Sequence, residues 1–136
     1  MNAVFADSYY FLALLNRRDQ AHNRCLLFSQ SSSQPVVTTA WVLMEVGDAL
    51  RQGQHRIAFM TLVQDLIEDP DSTILPADQR LLDKALELFG SRPDKEWSLT
   101  DCTSFVAMQQ IGLTQALTAD HHFEQAGFDP LFSQRD

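Results

Sequence analysis

The run Pro35-Val-Val-Thr-Thr39 constrains this chain more than any other stretch, because its β-branched residues read as a buried strand and lead directly into the helical string AWVLMEVGDAL. The rest of the chain repeats that alternation. Residues 3–7 form a short apolar run ending in a carboxylate, followed by a helix over 9–15 and a second over 22–31. The Ser-rich patch 29–34, with Pro35, reads as the loop that follows. The helix after the strand is expected over 41–52, with Gly53 ending it, and another follows over 56–67. Residues 68–71 make a turn, 72–75 a strand, 79–89 an amphipathic helix and 90–96 a loop. A helix over 100–111, a strand at 115–118, a short helix from His121 and an edge strand at 130–132 complete the prediction. Strands alternating with helices imply a largely parallel sheet covered on both faces, a three-layer α/β/α sandwich. In such sheets the ligand crevice lies beyond the carboxyl ends of the strands.

With 136 residues and 45% hydrophobic content, the chain suits one compact domain over 1–136. Its start, MNAVFADSYY, lacks a basic region followed by a long apolar run, and no stretch approaches membrane-spanning length, so a soluble, cytoplasmic protein is expected. Cys25 and Cys102 lie far apart without ligand spacing, which indicates buried free thiols rather than a disulfide or zinc site. The net charge of −8 argues against a broad basic surface for nucleic acid. Any such role needs a local device, and a divalent cation held by clustered carboxylates is one.

Four carboxylates suit that device. Asp7 ends the first strand, Asp120 follows the fourth, and Asp101 opens a helix. Glu45 sits in the first turns of the helix after PVVTT, among residues that otherwise look buried, where a carboxylate is costly unless paired, protonated or coordinated. Each has a plainer reading. Asp7, Asp101 and Asp120 suit helix caps, with Ser98 and Asp101 spaced as a capping box, and Glu45 suits a solvent face beside Asp48. Capping does not exclude a site, because a βα junction at the carboxyl edge puts its acid into the crevice either way. Converging carboxylates repel one another unless a cation joins them, and Mg²⁺ or Mn²⁺ prefers such oxygen ligands. An ion of this kind polarises a phosphodiester and lowers the pKa of bound water, which implies phosphodiester hydrolysis.

The order Asp, Glu, Asp, Asp on FADSYY, TTAWVLMEVGDAL, WSLTDCTSF and ALTADHHF resembles the PIN-domain nucleases, most specifically the VapC-type toxins of bacterial toxin–antitoxin pairs. The resemblance covers nearly the whole chain. It implies an α/β/α fold, Mg²⁺- or Mn²⁺-dependent endoribonuclease activity leaving 5′-phosphate and 3′-hydroxyl ends, a cognate antitoxin and a homodimer. Carried across residue by residue, it makes Asp7, Glu45 and Asp101 the central metal ligands and gives Asp120 a second-metal or water-positioning role. Ser8 and Thr118 match hydroxyl positions beside the first and last acids and, with His122, are the candidate substrate-binding residues. His122 stands where a common variant carries another aspartate, which bears on whether a second metal binds.

The remaining features have weaker claims. His121 and His122 are adjacent, so they are expected to point apart and not to make a zinc site, with one of them a candidate contact for RNA phosphate. Trp41 reads as core, while Trp97 is divided between core and a platform for stacking on bases. Arg17, Arg18 and Arg24 fit a solvated face better than an RNA guide. The apolar helices between Arg56 and Phe89 are candidates for a dimer face. The rival to the nuclease is a non-catalytic PIN-like module that binds protein or RNA, its acidic surface suiting an Arg-rich partner segment.

Overall fold

The computed structural model describes residues 2–133. In chain order the elements are β1 (Val4–Ala6), α1 (Ser8–Leu15), α2 (His22–Ser31), β2 (Val36–Thr39), α3 (Ala40–Ala49) and α4 (Gly53–Glu68), then β3 (Ser72–Leu75), α5 (Gln79–Ser91), α6 (Leu99–Ile111), β4 (Gln115–Leu117), α7 (His121–Gln125) and β5 (Asp129–Pro130). The five strands pair in the order β3-β2-β1-β4-β5, and every pairing is parallel. From β1 the chain steps outward to β2 and β3, then returns to the other side of β1 for β4 and β5. Right-handed crossovers in opposite directions put helices on opposite faces, as the α/β/α expectation requires. The reversal falls between β1 and β4, the point at which such sheets open a crevice at their carboxyl edge.

Short strands are held here by complete burial. Val4, Phe5 and Ala6 are inaccessible to solvent, as are Ala116 and Leu117 of β4. The buried Thr38 hydroxyl donates to the Ala6 carbonyl at 2.9 Å, tying β2 to β1 just below the crevice. Thr39 then accepts from the Val42 amide at 3.1 Å and caps α3. Phe105 of α6 meets Trp97 and Phe123 edge-on at 5.1 and 5.0 Å and stacks with Phe128 at 5.7 Å, which fixes α6, α7 and the chain between them.

Several predicted boundaries shift. The second helix spans His22–Ser31, the bounds expected for it, with the first serines of the patch inside its last turn. Gly53 does not end α3; that helix stops at Ala49, and Gly53, at φ +53, turns the chain into α4. α5 extends two residues beyond 89, through Ser91. The edge strand is Asp129–Pro130 rather than 130–132, and Phe132 instead packs against Tyr9 and Phe28, with ring centroids 6.2 Å away in each case. Both cysteines are free and buried, as expected. Among the described residues no helix is long and apolar enough to cross a membrane.

Candidate active site

Asp7 and Thr118 face each other across the gap where the sheet reverses direction. Asp7 follows β1 and Thr118 follows β4, the neighbouring strand. The Thr118 hydroxyl donates to Asp7 Oδ2 at 3.0 Å, and both residues are buried, Asp7 at 6% exposure and Thr118 at 0%. Thr118 Oγ1 in turn accepts from the Asp120 amide at 3.1 Å. Asp7 occupies the cap position of α1, but its side chain makes no capping bond there. Its carboxyl serves the crevice instead.

Asp101 does both jobs. Its amide donates to Ser98 Oγ at 2.9 Å and its Oδ2 accepts from the Ser98 amide at 3.1 Å, a complete capping box at the start of α6. The same carboxylate oxygen lies 3.2 Å from His122 Nδ1, and that nitrogen is 3.4 Å from Asp120 Oδ1. Asp120 also caps α7 by accepting from the His122 amide at 2.9 Å. Glu45, on α3, is half-buried and feels Asp7 electrostatically. Asp7 also feels Asp101, and Asp101 feels Asp120, so the four predicted acids form a chain of electrostatic neighbours.

Their electrostatics are unfavourable without a counter-ion. Burial pushes the Asp7 carboxyl up to about 7; bonds from the Ser8 amide and the Thr118 hydroxyl oppose that rise, and Asp101 and Glu45 add to it. Asp101 is also raised, first by burial and then by Asp120, against the lowering effect of Ser98 and His122. Among the described residues no lysine or arginine forms an ion pair with any of the four acids. Asp101 Oδ1 and Asp120 Oδ2 accept no hydrogen bond there either. Oxygen donors of like charge, partly buried and with unused lone pairs, are the set that a hard divalent cation satisfies, so the residues present fit Mg²⁺ or Mn²⁺. A hollow of about 430 Å³ between α5 and α6 contains none of the four acids.

Other predicted residues divide. Ser8 contributes its amide to Asp7. His121 and His122 do not point apart: their rings lie 4.4 Å from each other, and together with Asp120 they bring one potential ligand atom each within 4.8 Å. Trp41 packs against the core. Trp97 is buried, with its Nε1–H donating to Gln125 Oε1 at 3.0 Å and Arg92 5.2 Å from its ring, so it is not a free stacking platform. Arg24 donates to the Tyr9 hydroxyl and lies 5.3 Å from the Phe132 ring, a structural role that separates it from Arg17 and Arg18. Those two are exposed beyond the far end of α1, about 12 Å of helix from Asp7. Two features escaped sequence reasoning. One is the bridge made by His122, for which the spacing to Asp120 was the available signal. The other is Ser104, one turn after Asp101 on α6, whose hydroxyl is fully buried with no hydrogen-bond partner.

Comparison with known proteins places this geometry. The chain is 30% identical over 129 residues to the 23S rRNA-specific endonuclease VapC20 of Mycobacterium tuberculosis, an alignment covering 92% of this chain and 95% of the relative. The crystal structure of that organism's VapC20, described as a sarcin–ricin loop cleaving toxin, superposes with a TM-score of 0.83 at 25% identity, covering 93% of this chain and 96% of the other. FitAcB from Neisseria gonorrhoeae shares the fold at a TM-score of 0.67 and 17% identity, over 95% and 99% of the two chains. The PIN domain pattern matches residues 4–129, and the chain accordingly belongs to the PIN-domain family.

Proposed function

We propose that this protein is a divalent-metal-dependent endoribonuclease and the toxin of a toxin–antitoxin pair. The observation that carries the reading is Asp7: a buried carboxyl pushed up to about 7, at the switch point of the sheet, in electrostatic contact with two further acids. A structural carboxylate has no reason to be held where it is so costly, whereas a cation in its place satisfies Asp7, Glu45 and Asp101 together. Mg²⁺ or Mn²⁺, when bound, supplies charge that polarises the scissile phosphodiester and makes water a competent nucleophile near neutral pH.

The chain's own residues do the rest. Asp7, Glu45 and Asp101 hold the ion, and Thr118 fixes the rotamer of Asp7 through its hydroxyl. Asp120 keeps Oδ2 free to orient the attacking water, while its Oδ1 is committed to α7. Ser8 and the exposed His121 lie at the rim, where phosphate oxygens of the substrate need donors. The substrate is RNA, and the sarcin–ricin loop of large-subunit ribosomal RNA is the first target to examine, since a relative of this similarity is named for 23S rRNA.

The partners follow from the same reading. A cognate antitoxin covers the acids, and cytoplasmic RNA sets the place of action. A homodimer uses the apolar positions left open between 56 and 89: Ile57, Met60 and Ile67 on α4, with Leu86 and Phe89 on α5, all at least 47% exposed. The test is cleavage of ribosomal RNA by purified protein with Mn²⁺, with EDTA, and by Asp7→Asn and Asp101→Asn. Discrete cuts that vanish with the chelator and with either substitution are expected. Undiminished cutting by the double variant would refute the site, and metal binding without cutting on any RNA would favour the non-catalytic module.

A further inference from the structure

We propose that His122 is a positioning residue that fills the place between Asp101 and Asp120 where a second divalent cation would bridge, so that the site takes one ion per chain. This rests on the metal-dependent reading above and adds a stoichiometry to it. His122 Nδ1 lies 3.2 Å from Asp101 Oδ2 and 3.4 Å from Asp120 Oδ1. Carboxylate oxygens only accept, so the nitrogen donates to Asp101, with Asp120 within ion-pair distance of the same atom. A cation bridging those oxygens at about 2.1 Å would have to enter the space held by that N–H.

The imidazole is not free to leave. Its side chain is 19% exposed, its own amide is bonded to Asp120, and the next residue, Phe123, is wholly buried against Phe105. The His121 ring packs 4.4 Å from it. The clamp also decides which oxygens remain. Asp101 Oδ2 accepts from the Ser98 amide and the His122 ring, and Asp120 Oδ1 accepts from the His122 amide with the ring 3.4 Å away, which leaves Asp101 Oδ1 and Asp120 Oδ2. An ion held with Asp7 and Glu45 still has Asp101 Oδ1 available, whereas a second ion between Asp101 and Asp120 would meet the imidazole in the gap between their other two oxygens.

The opposing possibility is that His122 is itself a ligand, since Asp120, His121 and His122 offer atoms within 4.8 Å of one another. The two predict opposite effects of removing the ring. The experiment is an equilibrium Mn²⁺ titration, read by the electron paramagnetic resonance of free Mn²⁺, on the full chain and on His122→Ala without RNA. The alanine keeps the backbone cap of α7, so the helix start survives. One Mn²⁺ per wild-type chain and two per His122→Ala chain are expected. Two ions on the wild type, or one or none on the variant, overturn the proposal. A wild type that binds no Mn²⁺ overturns the metal-dependent reading itself, which is a different failure. If the variant does not fold, nitrogen NMR of the wild-type imidazoles during Mg²⁺ saturation decides the matter: the His122 Nδ1–H is expected to persist, and its loss overturns the clamp.

Discussion

Replacing Asp7 with Asn should stabilise the metal-free protein, and by an amount that grows with pH. The folded carboxyl titrates near 7 against 3.8 for the ordinary group. Between those values the native state keeps a proton that the unfolded chain releases, so wild-type stability falls as pH rises through that window and reaches its floor above pH 7. Each pH unit across it is worth about 1.4 kcal/mol, which sets a ceiling of roughly 4 kcal/mol between pH 4 and pH 8. Asparagine has nearly the same shape, still accepts from Thr118, and carries no charge to bury. If relaxation recovers half of the ceiling, about 2 kcal/mol remains, or roughly 6 °C in melting temperature for a chain of this length. The assay is thermal unfolding of both proteins with EDTA from pH 4 to pH 8, taking the difference at each pH so that shared titrations cancel. The advantage of Asp7→Asn should widen by about 6 °C across the series, and Mn²⁺ at pH 8 should reverse the order by stabilising only the wild type. A difference that stays flat with pH would refute the claim that Asp7 is held at an electrostatic cost.

Three further predictions concern the scaffold beneath the site. Ser104→Ala should leave the fold intact and raise stability by about 1 kcal/mol in chemical denaturation, because it removes a buried hydroxyl that has no partner; a loss of that size would mean the hydroxyl is satisfied. Ser98→Ala should cost about 1 kcal/mol through the broken capping box and should weaken Mn²⁺ binding, since Ser98 holds the Asp101 backbone in register. Unchanged affinity would detach the cap from the site. Gly112→Ala should cost about 1 kcal/mol from backbone conformation alone, because φ is +74 and nothing lies within 4 Å of the added methyl; calorimetry of the variant checks it.

Much of the architecture was legible because alternation is a strong signal. The runs at 35–39 and 72–75 and the amphipathic stretch from 79 carry their own periodicity, and the structure places β2, β3 and α5 there. The errors fall where local chemistry is ambiguous. A glycine after a helical pattern reads as a stop, yet Gly53 opens α4, because a left-handed residue serves a turn equally well before a helix as after one. At the last edge strand, Phe132 turns away to fill a gap between Tyr9 and Phe28, a tertiary demand that no local pattern encodes. Three of the four acids could be placed from sequence because they sit at element junctions, where topology alone fixes their side of the sheet. The rotamer of His122 was not, because it depends on how α7 docks against Phe105.

An acidic nuclease is a consistent object once these parts are combined. With a net charge of −8, and with Arg24 engaged by Tyr9 and Phe132, the metal-free crevice repels a phosphate backbone. Asp7 answers part of that repulsion by holding a proton near neutral pH, and His122 answers another part by donating to Asp101 beside Asp120. Neither device offers positive charge to RNA. If the proposed site holds, a dication in place of the Asp7 proton would relieve the buried acids and reverse the local field together, so that loading the site would also make it attractive to RNA. An antitoxin with an Arg-rich segment suits the complementary state, because guanidinium groups match the unloaded carboxylates and compete with the ion for them. On the proposed function, the acidity that argued against nucleic-acid binding in the bare sequence would make the protein switchable, by metal toward RNA and by a basic partner away from it.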